Sequence, residues 1–305
     1  MSNKVKAHIA TLIANFFFGS CIVAVKHLTQ VVMQPLALNF LRLSCALILF
    51  WLLFLIKPSN ASIKKKHIFL FILCGITGVA INQVLFIKGA SLTSPVHTSL
   101  LALVTPIVLT IIAVLFLGEK LLWNILIGLL LGISGAVILI VLKNNNGNRD
   151  SSILGDFYVI LNATSYAIYL AIVKPLMDSY KPIHVTRWVF LFASIIVLPI
   201  AWNDFTLIKW QLFDWTHWLS LIVVVLGATF IAYLFIVYGI AKLGASVVGA
   251  YVYTQPVFAT ITAVILYNEK LSNIKLIAAV FIFGGVYLVN YKKKLPASEE
   301  REFIK

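Results

Sequence analysis

The sequence predicts an all-α membrane protein with ten transmembrane helices, arranged as two inverted five-helix repeats around a central cavity. Three observations support this fold class. The chain of 305 residues is 61% hydrophobic and only 11% charged, with a mean hydropathy of +1.02. Its apolar residues fall in ten runs, each long enough to cross a bilayer. A phrase of sixteen residues occurs twice, at an offset of 150 residues.

The low charge content identifies the solvent of the folded chain. Soluble domains carry about 25% charged residues, so this chain lacks the polar surface that a water-exposed globule needs. The net charge of +14 comes from basic residues that lie between apolar runs, which favours an anionic membrane surface over a nucleic acid as partner. The three cysteines all lie inside apolar runs and have no metal-ligand spacing. The sequence predicts a lipid bilayer as partner, no metal and no cofactor.

The ten apolar runs are the candidate membrane spans. A spanning helix needs about 20 mostly apolar residues, because the hydrocarbon core is about 30 Å thick. The first run follows Lys4 and Lys6, as the apolar region of a signal peptide would. No cleavage site and no polar mature chain come after it, so it is interpreted as an uncleaved span. The predicted spans are 8–26, 35–56, 67–87, 94–117, 122–142, 155–174, 183–202, 217–238, 245–267 and 273–292.

The longest polar break divides the chain into two halves. It reads "KNNNGNRDSSILGD" and covers residues 143–156. The predicted organisation is a first repeat at 8–142, a linker at 143–154, a second repeat at 155–292 and a polar tail at 293–305.

The basic residues between the spans predict the orientation. With the N-terminus in the cytoplasm, the cytoplasmic segments contain sixteen Lys and Arg residues and the opposite segments contain seven. Because cytoplasmic loops are enriched in Lys and Arg, both termini are predicted to be cytoplasmic. The localisation predicted is the plasma (inner) membrane, with a monomer as the simplest state and an oligomer left open.

The repeated phrase indicates a duplication. Residues 105–120 read "TPIVLTIIAVLFLGEK" and residues 255–270 read "QPVFATITAVILYNEK", with seven of sixteen positions identical. Gly89 maps to Gly239 at the same offset, and Lys26 maps to Lys174 at an offset of 148. Each half carries five spans. Five is odd, so the second half must start from the opposite face of the membrane, as in many secondary transporters.

Each copy of the phrase places a proline near the middle of a predicted span. Pro106 lies in the fourth span and Pro256 in the ninth. A proline removes one backbone hydrogen bond and clashes with the preceding turn, so both helices are expected to bend there. Interrupted helices at matching positions of two halves are a pointer to a transport site, although a kink that serves packing alone is the alternative.

These features together resemble the EamA family of the drug/metabolite transporter superfamily. The residues that carry the resemblance are "LGEKL" (117–121), "YNEKL" (267–271), "FFFGSCIVAVK" (16–26) and "GGVYLVN" (284–290). The resemblance covers about residues 8–292. It implies ten helices, cytoplasmic termini and a cavity lined mainly by helices 1, 3, 4, 6, 8 and 9, with helices 5 and 10 at the periphery. It also implies transport of amino acids or other small metabolites.

Polar residues inside the spans are the candidates for the substrate pathway, since polar groups at membrane depth are costly and tend to face the bundle interior. Interhelical hydrogen bonding is the alternative role of each one. The candidates are Asn15, Asn82, Gln83, His97, Thr105, Asn162, Tyr166, Tyr169, Tyr251 and Gln255.

Charged residues give a second set of candidates. Arg42 lies inside the second span, where it could reach the outer headgroups, meet a helix end or bind an anion. The pairs Glu119–Lys120 and Glu269–Lys270 close the repeated phrases as helix-end or gate charges. No acidic residue falls in the middle of a predicted span, which argues against proton coupling through a carboxylate.

The function predicted is a secondary transporter, an exporter of a small metabolite such as an amino acid, working by alternating access. A facilitator or exchanger of nucleotide sugars or sugar phosphates is the alternative within the same class. A membrane-embedded enzyme or a scaffold is the alternative from another class, but the spans contain no catalytic group of paired acids, metal ligands or nucleophile and base. The sequence therefore predicts that the protein is not an enzyme.

Overall fold

The computed structural model describes residues 2–56, 62–92, 98, 101–102, 104–116, 123–141, 153–267 and 273–290. Every regular element within these ranges is a helix. With contiguous segments joined, the helices are α1 (Asn3–Val31), α2 (Pro35–Ile56), α3 (Lys65–Leu92), α4 (Val104–Phe116), α5 (Trp123–Val141), α6 (Ile153–Ser179), α7 (Pro182–Thr206), α8 (Trp215–Leu243), α9 (245–267) and α10 (Asn273–Asn290).

Six of these helices are long and apolar enough to cross a membrane, namely α1, α2, α3, α6, α7 and α8. Among the described residues, 123–135 form a shorter apolar helical stretch. Five helices, namely α1, α3, α6, α7 and α8, extend beyond the apolar spans predicted for them, and hydrogen bonds cap both ends of α1. In α1, Ser2 accepts a hydrogen bond from the Val5 backbone N–H, and the Val32 N–H bonds back to the Leu28 carbonyl. The figure of ten spans stays a prediction.

The helices pack in pairs that join the two halves of the chain. α2 packs on α7, α3 on α6, α1 on α8 and α9, and α4 on α6, while α5 and α10 pack mainly on each other. The largest fully buried side chains of the central core include Phe50, Phe71, Tyr169 and Phe190.

Two glycine contacts occur at matching positions of the halves. Gly89 of α3 faces α6, where a Cβ would lie 2.7 Å from Val159 Cγ2. Gly239 of α8 faces α1, where a Cβ would collide with the Thr11 hydroxyl. The offset of 150 relates the glycines, and the offset of 148 relates Thr11 to Val159. The third helix of each half therefore contacts the first helix of the other half through an equivalent glycine.

Two π-helical turns interrupt α3 and α8. They cover Ile76–Ala80 and Val223–Ile231. The offset of 150 carries 76–80 onto 226–230, which lies inside the second turn. A π-turn widens the helix and shifts the backbone hydrogen bonds by one residue, and such turns are frequent at functional sites. No pattern in the sequence predicted these two π-turns.

Candidate functional site

A cavity lies between the helices of the two halves. About 670 Å³ of empty space lies between its walls, a volume that includes solvent on its open side. Side chains from α1, α2, α3, α6, α8 and α9 line it, together with Thr105 of α4 and the adjacent Ala102. The lining residues are Phe18, Cys21, Ile22, Arg42, Asn82, Gln83, Phe86, Ala102, Thr105, Asn162, Tyr166, Tyr233, Val252 and Gln255.

Six of the ten residues predicted for the pathway lie in this wall. They are Asn82, Gln83, Thr105, Asn162, Tyr166 and Gln255. Their role in binding a solute stays a prediction.

Asn82 and Asn162 join α3 to α6 at the cavity. The Asn162 side-chain amide donates to the Asn82 backbone carbonyl at 2.7 Å, and the Asn82 amide donates back to the Asn162 carbonyl at 3.5 Å. Each bond uses one of the two N–H groups of the side-chain amide on a backbone acceptor. The polar side chains at this point therefore also fix the spacing of two helices that belong to different halves.

Tyr233 of α8 lies in the cavity wall, although it was not among the predicted pathway residues. Its hydroxyl donates to the Gly78 carbonyl at 2.9 Å, inside the π-turn of α3. The Gln83 amide donates to the same oxygen at 3.4 Å. Tyr233 is the repeat counterpart of Gln83 at the offset of 150, so the duplication was the signal in the sequence that could have found it.

Gln255 links α9 to α1 behind the cavity wall. Its amide donates to Asn15 Oδ1 at 2.8 Å, and the Asn15 amide donates to the Thr11 carbonyl at 2.8 Å within α1. Asn15 is fully buried and does not line the cavity. On the opposite side, the Thr105 hydroxyl donates to the Ala163 carbonyl of α6 at 3.4 Å. Gln255 is therefore both a cavity residue and an interhelical contact.

Arg42 lies in the cavity wall rather than at an exposed helix end. The residue is only 4% exposed, so its guanidinium does not reach outward to solvent. Its Nε donates to Thr229 Oγ1 at 2.9 Å. The Thr229 hydroxyl in turn donates to the Val224 carbonyl at 2.7 Å, within the π-turn of α8. The π-turn thereby positions the threonine that orients Arg42.

Tyr169 and Tyr251 do not line the cavity. Tyr169 is fully buried in the central core beside Gly78, where any Cβ would collide with the tyrosine ring. The Tyr251 hydroxyl forms a hydrogen bond of 2.8 Å with His8 Nδ1. Both residues are on the predicted helices but face other neighbours.

The remaining predicted residues divide into two groups. Pro106 is buried in α4, and Pro256 is buried at the junction where the 3-10 turn Tyr251–Thr254 gives way to the α-helix Gln255–Tyr267. The junction agrees with the expectation that a proline cannot continue the preceding hydrogen-bond ladder. The other predictions lie outside the described residues, namely His97, Glu119, Lys120, Glu269 and Lys270.

A separate polar cluster joins α1 to the start of α8. The rings of His27 and His217 stack with centroids 4.4 Å apart. One ring nitrogen of each histidine and one carboxylate oxygen of Asp214, the atoms that could bind a metal ion, all lie within 4.8 Å of one another. Asp214 caps α8 by accepting the His217 backbone N–H at 2.9 Å and the Thr216 hydroxyl at 2.7 Å. The His217 N–H and the Thr216 hydroxyl hold the pKa of the Asp214 carboxyl well below its usual range. We interpret the cluster as a helix cap that also joins two helices.

The cap gives a prediction about stability and pH. Asp214→Ala is expected to lower the melting temperature of the detergent-purified protein, because the first turn of α8 loses its acceptor. The folded pKa is below the unfolded value of about 3.9, so the stabilisation is present above that value and is lost only as pH falls through the folded pKa. The lower melting temperature of Asp214→Ala should therefore be seen at every pH from 5 to 8.

The matched control is Asp204→Ala. In the described structure the Asp204 side chain forms no hydrogen bond or ion pair, although it also lies at a helix end. Equal melting temperatures for Asp214→Ala and Asp204→Ala at pH 7 would contradict the assignment of the cap.

Comparison with known proteins places the chain in a family. The EamA-like transporter family matches residues 5–141 and again 153–291, which also establishes the two repeats. The uncharacterized transporter YetK of Bacillus subtilis is 23% identical over 99% of this chain and 93% of its own length. A probable terminal-alkyne amino-acid exporter of Streptantibioticus cattleyicolor is 25% identical over 74% of each chain. The protein WALLS ARE THIN 1 of Arabidopsis thaliana is 24% identical over 98% of this chain and 85% of its own.

A solved crystal structure has the same fold. It superposes with a TM-score of 0.73 at 18% sequence identity, and the match covers 98% of this chain and 99% of that one. Together with the apolar helices and the cavity between the two repeats, these matches lead to one conclusion: the chain belongs to the EamA-like transporter family and is a multi-pass integral membrane protein.

Proposed function

We propose that the protein is a secondary transporter that exports a small amphipathic metabolite, an amino acid being the best fit. The observation that carries the proposal is the cavity, to which both repeats contribute polar side chains and aromatic rings. Amide and hydroxyl groups can bind the polar part of such a solute, while Phe18, Phe86 and Tyr166 offer an apolar surface for its side chain. The Streptantibioticus relative, named a probable terminal-alkyne amino-acid exporter, supports the same class of substrate.

The proposed mechanism is alternating access between two inverted five-helix halves. The equivalent contacts of Gly89 with Val159 and of Gly239 with Thr11 support it, because each half meets the other in the same way. Two such halves can exchange their conformations and open the cavity to alternate faces of the membrane. We further propose cytoplasmic termini in the inner membrane, on the asymmetry of basic residues.

The wall of the cavity also bears on energy coupling. Among the lining residues that the structure describes there is no aspartate and no glutamate. A carboxylate relay within the cavity is therefore not part of the proposal, and facilitated diffusion or exchange of solutes is the simplest mode of operation.

The test is flux in proteoliposomes that contain the purified protein, with a panel of radiolabelled amino acids and metabolites, with and without a pH gradient. Ala102→Trp is expected to reduce the initial flux at least about tenfold, because the indole occupies the space that a solute needs. The measured quantity is the initial rate at a fixed protein density.

The control is Leu115→Trp in α4. Leu115 is 69% exposed on the outside of the bundle, away from the cavity, so this variant should transport as the wild type does. Absence of flux for every solute in the wild type, or equal flux for the two tryptophan variants, would contradict the proposal.

A further inference from the structure

The charge of Arg42 has no counter-ion among the described residues. The residue is 4% exposed, and Thr229 is the hydrogen-bond partner of its Nε. Its Nη1 is buried and has no partner. A buried cation without a counter-ion is strongly unfavourable, and natural proteins compensate such charges with an anion or a dense set of acceptors. A guanidinium left in this state at the wall of a cavity is a site prepared for an anionic group.

Arg187 shows how this protein compensates a buried arginine that has no ligand to bind. It is 3% exposed. Its guanidinium lies 3.9 Å from the centroid of the Phe54 ring and 5.0 Å from that of Trp51. Its Nη2 also contacts His184 Nδ1 at 3.0 Å. Arg187 Nε is also buried without a hydrogen-bond partner, but aromatic faces attract cations and stabilise its charge within the fold. Arg42 has no corresponding aromatic contact in the part of the chain that the structure describes.

The composition of the cavity wall limits the charge of the ligand. Arg42 is the one charged side chain among the lining residues that the structure describes. A single guanidinium matches a monoanion, and its planar N–H groups suit the two oxygens of a carboxylate. A phosphate ester with two charges would bring more negative charge than this wall can balance.

A second unsatisfied group lies in the same wall. Gln83 Oε1 is buried and has no donor, although the amide nitrogen of Gln83 donates to Tyr233. A buried acceptor without a donor costs free energy until a donor arrives. An ammonium group is such a donor. Two residues that line the cavity therefore carry a buried unpaired donor and a buried unpaired acceptor, which match the carboxylate and the ammonium of a zwitterionic amino acid.

We propose that Arg42 is the specificity-determining residue that binds the carboxylate of a zwitterionic amino-acid substrate, with Gln83 accepting a hydrogen bond from its ammonium. The inference rests on the proposed transport function and adds the two residues that recognise the charged groups of the substrate, and with them its orientation. The apolar part of the solute then faces Phe18, Phe86 and Tyr166 across the cavity.

The experiment compares three chemical classes of solute in counterflow with proteoliposomes. The probes are radiolabelled L-amino acids, the corresponding amino-acid amides, and the primary amines that lack the carboxyl group. Each is measured on the wild type, Arg42→Gln and Arg42→Lys. The wild type is expected to prefer the acids, and Arg42→Gln to raise the KM for the acids about 10- to 100-fold, the range expected for loss of a charge-assisted hydrogen bond. Arg42→Gln should leave the amides and amines within about twofold of the wild type.

Arg42→Lys keeps the charge and loses the planar arrangement of donors, so its KM for the acids should lie between those of the wild type and Arg42→Gln. The matched control is Arg187→Lys, which changes a buried arginine away from the cavity and should keep the preference for acids. Melting temperatures of all variants identify any that fail to fold. The rise in the melting temperature of Arg42→Lys when an L-amino acid is added then gives an independent measure of binding.

The outcomes separate this inference from the proposed function. If the wild type transports amino acids and their amides at equal rates, the proposed role of Arg42 is overturned, but the proposed transport function is not. An equal loss of acids and amides in Arg42→Gln assigns Arg42 to structure and overturns the inference as well. No flux of any solute in the wild type overturns the proposed function, and this inference with it.

Discussion

Gly285→Ala is expected to destabilise the protein strongly, whereas Gly284→Ala at the adjacent position should be neutral or slightly stabilising. A Cβ at Gly285 would lie 2.6 Å from the Gly128 carbonyl oxygen and 2.7 Å from the Gly132 nitrogen, both backbone atoms of α5. A Cβ at Gly284 would meet nothing within 4 Å. The two substitutions add the same methyl group to the same helix, so they differ only in what that methyl group contacts.

The size of the effect follows from the rigidity of the neighbours. A flexible side chain could rotate away from an added methyl group, but a helical backbone cannot, so α5 and α10 must separate. Overpacking of this kind costs about 1–3 kcal/mol. At Gly284 the replacement of glycine by alanine within a helix contributes about 0.5–1 kcal/mol of stability instead.

The measurement is the melting temperature of each variant purified in the same detergent. We expect Gly285→Ala to melt well below the wild type and Gly284→Ala to melt at or above it. The reverse order, or equal values, would show that α5 and α10 do not approach as closely as described here.

Asn15 and Gln255 give the second large effect, in a double-mutant cycle. Gln255→Leu removes the donor to Asn15 Oδ1, and Asn15 is fully buried. Leaving a buried polar group unsatisfied costs about 1–3 kcal/mol. Asn15→Leu similarly leaves the Gln255 amide without its acceptor. Each single variant should therefore lose stability, while the double variant should lose clearly less than the sum.

Transport adds a second measurement to this cycle. Gln255 lines the cavity but Asn15 does not, so Gln255→Leu should reduce flux beyond the loss explained by folded protein alone. The control is Thr110→Val, because the Thr110 hydroxyl bonds only to the Pro106 carbonyl of its own helix at 2.8 Å. Additive losses in the double variant would mean that the two side chains are not coupled.

The polar residues predicted for the substrate pathway on α3 lie in the cavity wall, whereas on other helices only some of them do, and their role in transport stays a prediction. Asn82 and Gln83 are both in the wall, but on α6 Tyr166 lines the cavity while Tyr169, three residues on, is in the core. Helical spacing groups residues on a broad face without showing which part of that face meets a cavity. The rotation of each helix depends on its neighbours, such as Gly78, which accommodates the Tyr169 ring.

Arg42 and Tyr233 illustrate what depends on the π-turns. Arg42 was predicted as either structural or anion-binding, and the π-turn of α8 supplies the threonine that orients it. Tyr233 reaches the carbonyl of Gly78 in the π-turn of α3. Composition and periodicity contain no signal for these turns, so neither contact could be derived from the chain alone.

By itself the sequence determined that the protein is a membrane protein made of a duplicated unit, because hydropathy and internal similarity are properties of the chain read in one dimension. It also indicated the glycine pair at 284–285 and the polar residues from which a site would be built. Only the tertiary structure decided which glycine touches α5, and which polar groups share one cavity. The physical reason is that helix rotation, π-turns and backbone contacts between residues far apart in sequence arise only when the two halves pack together.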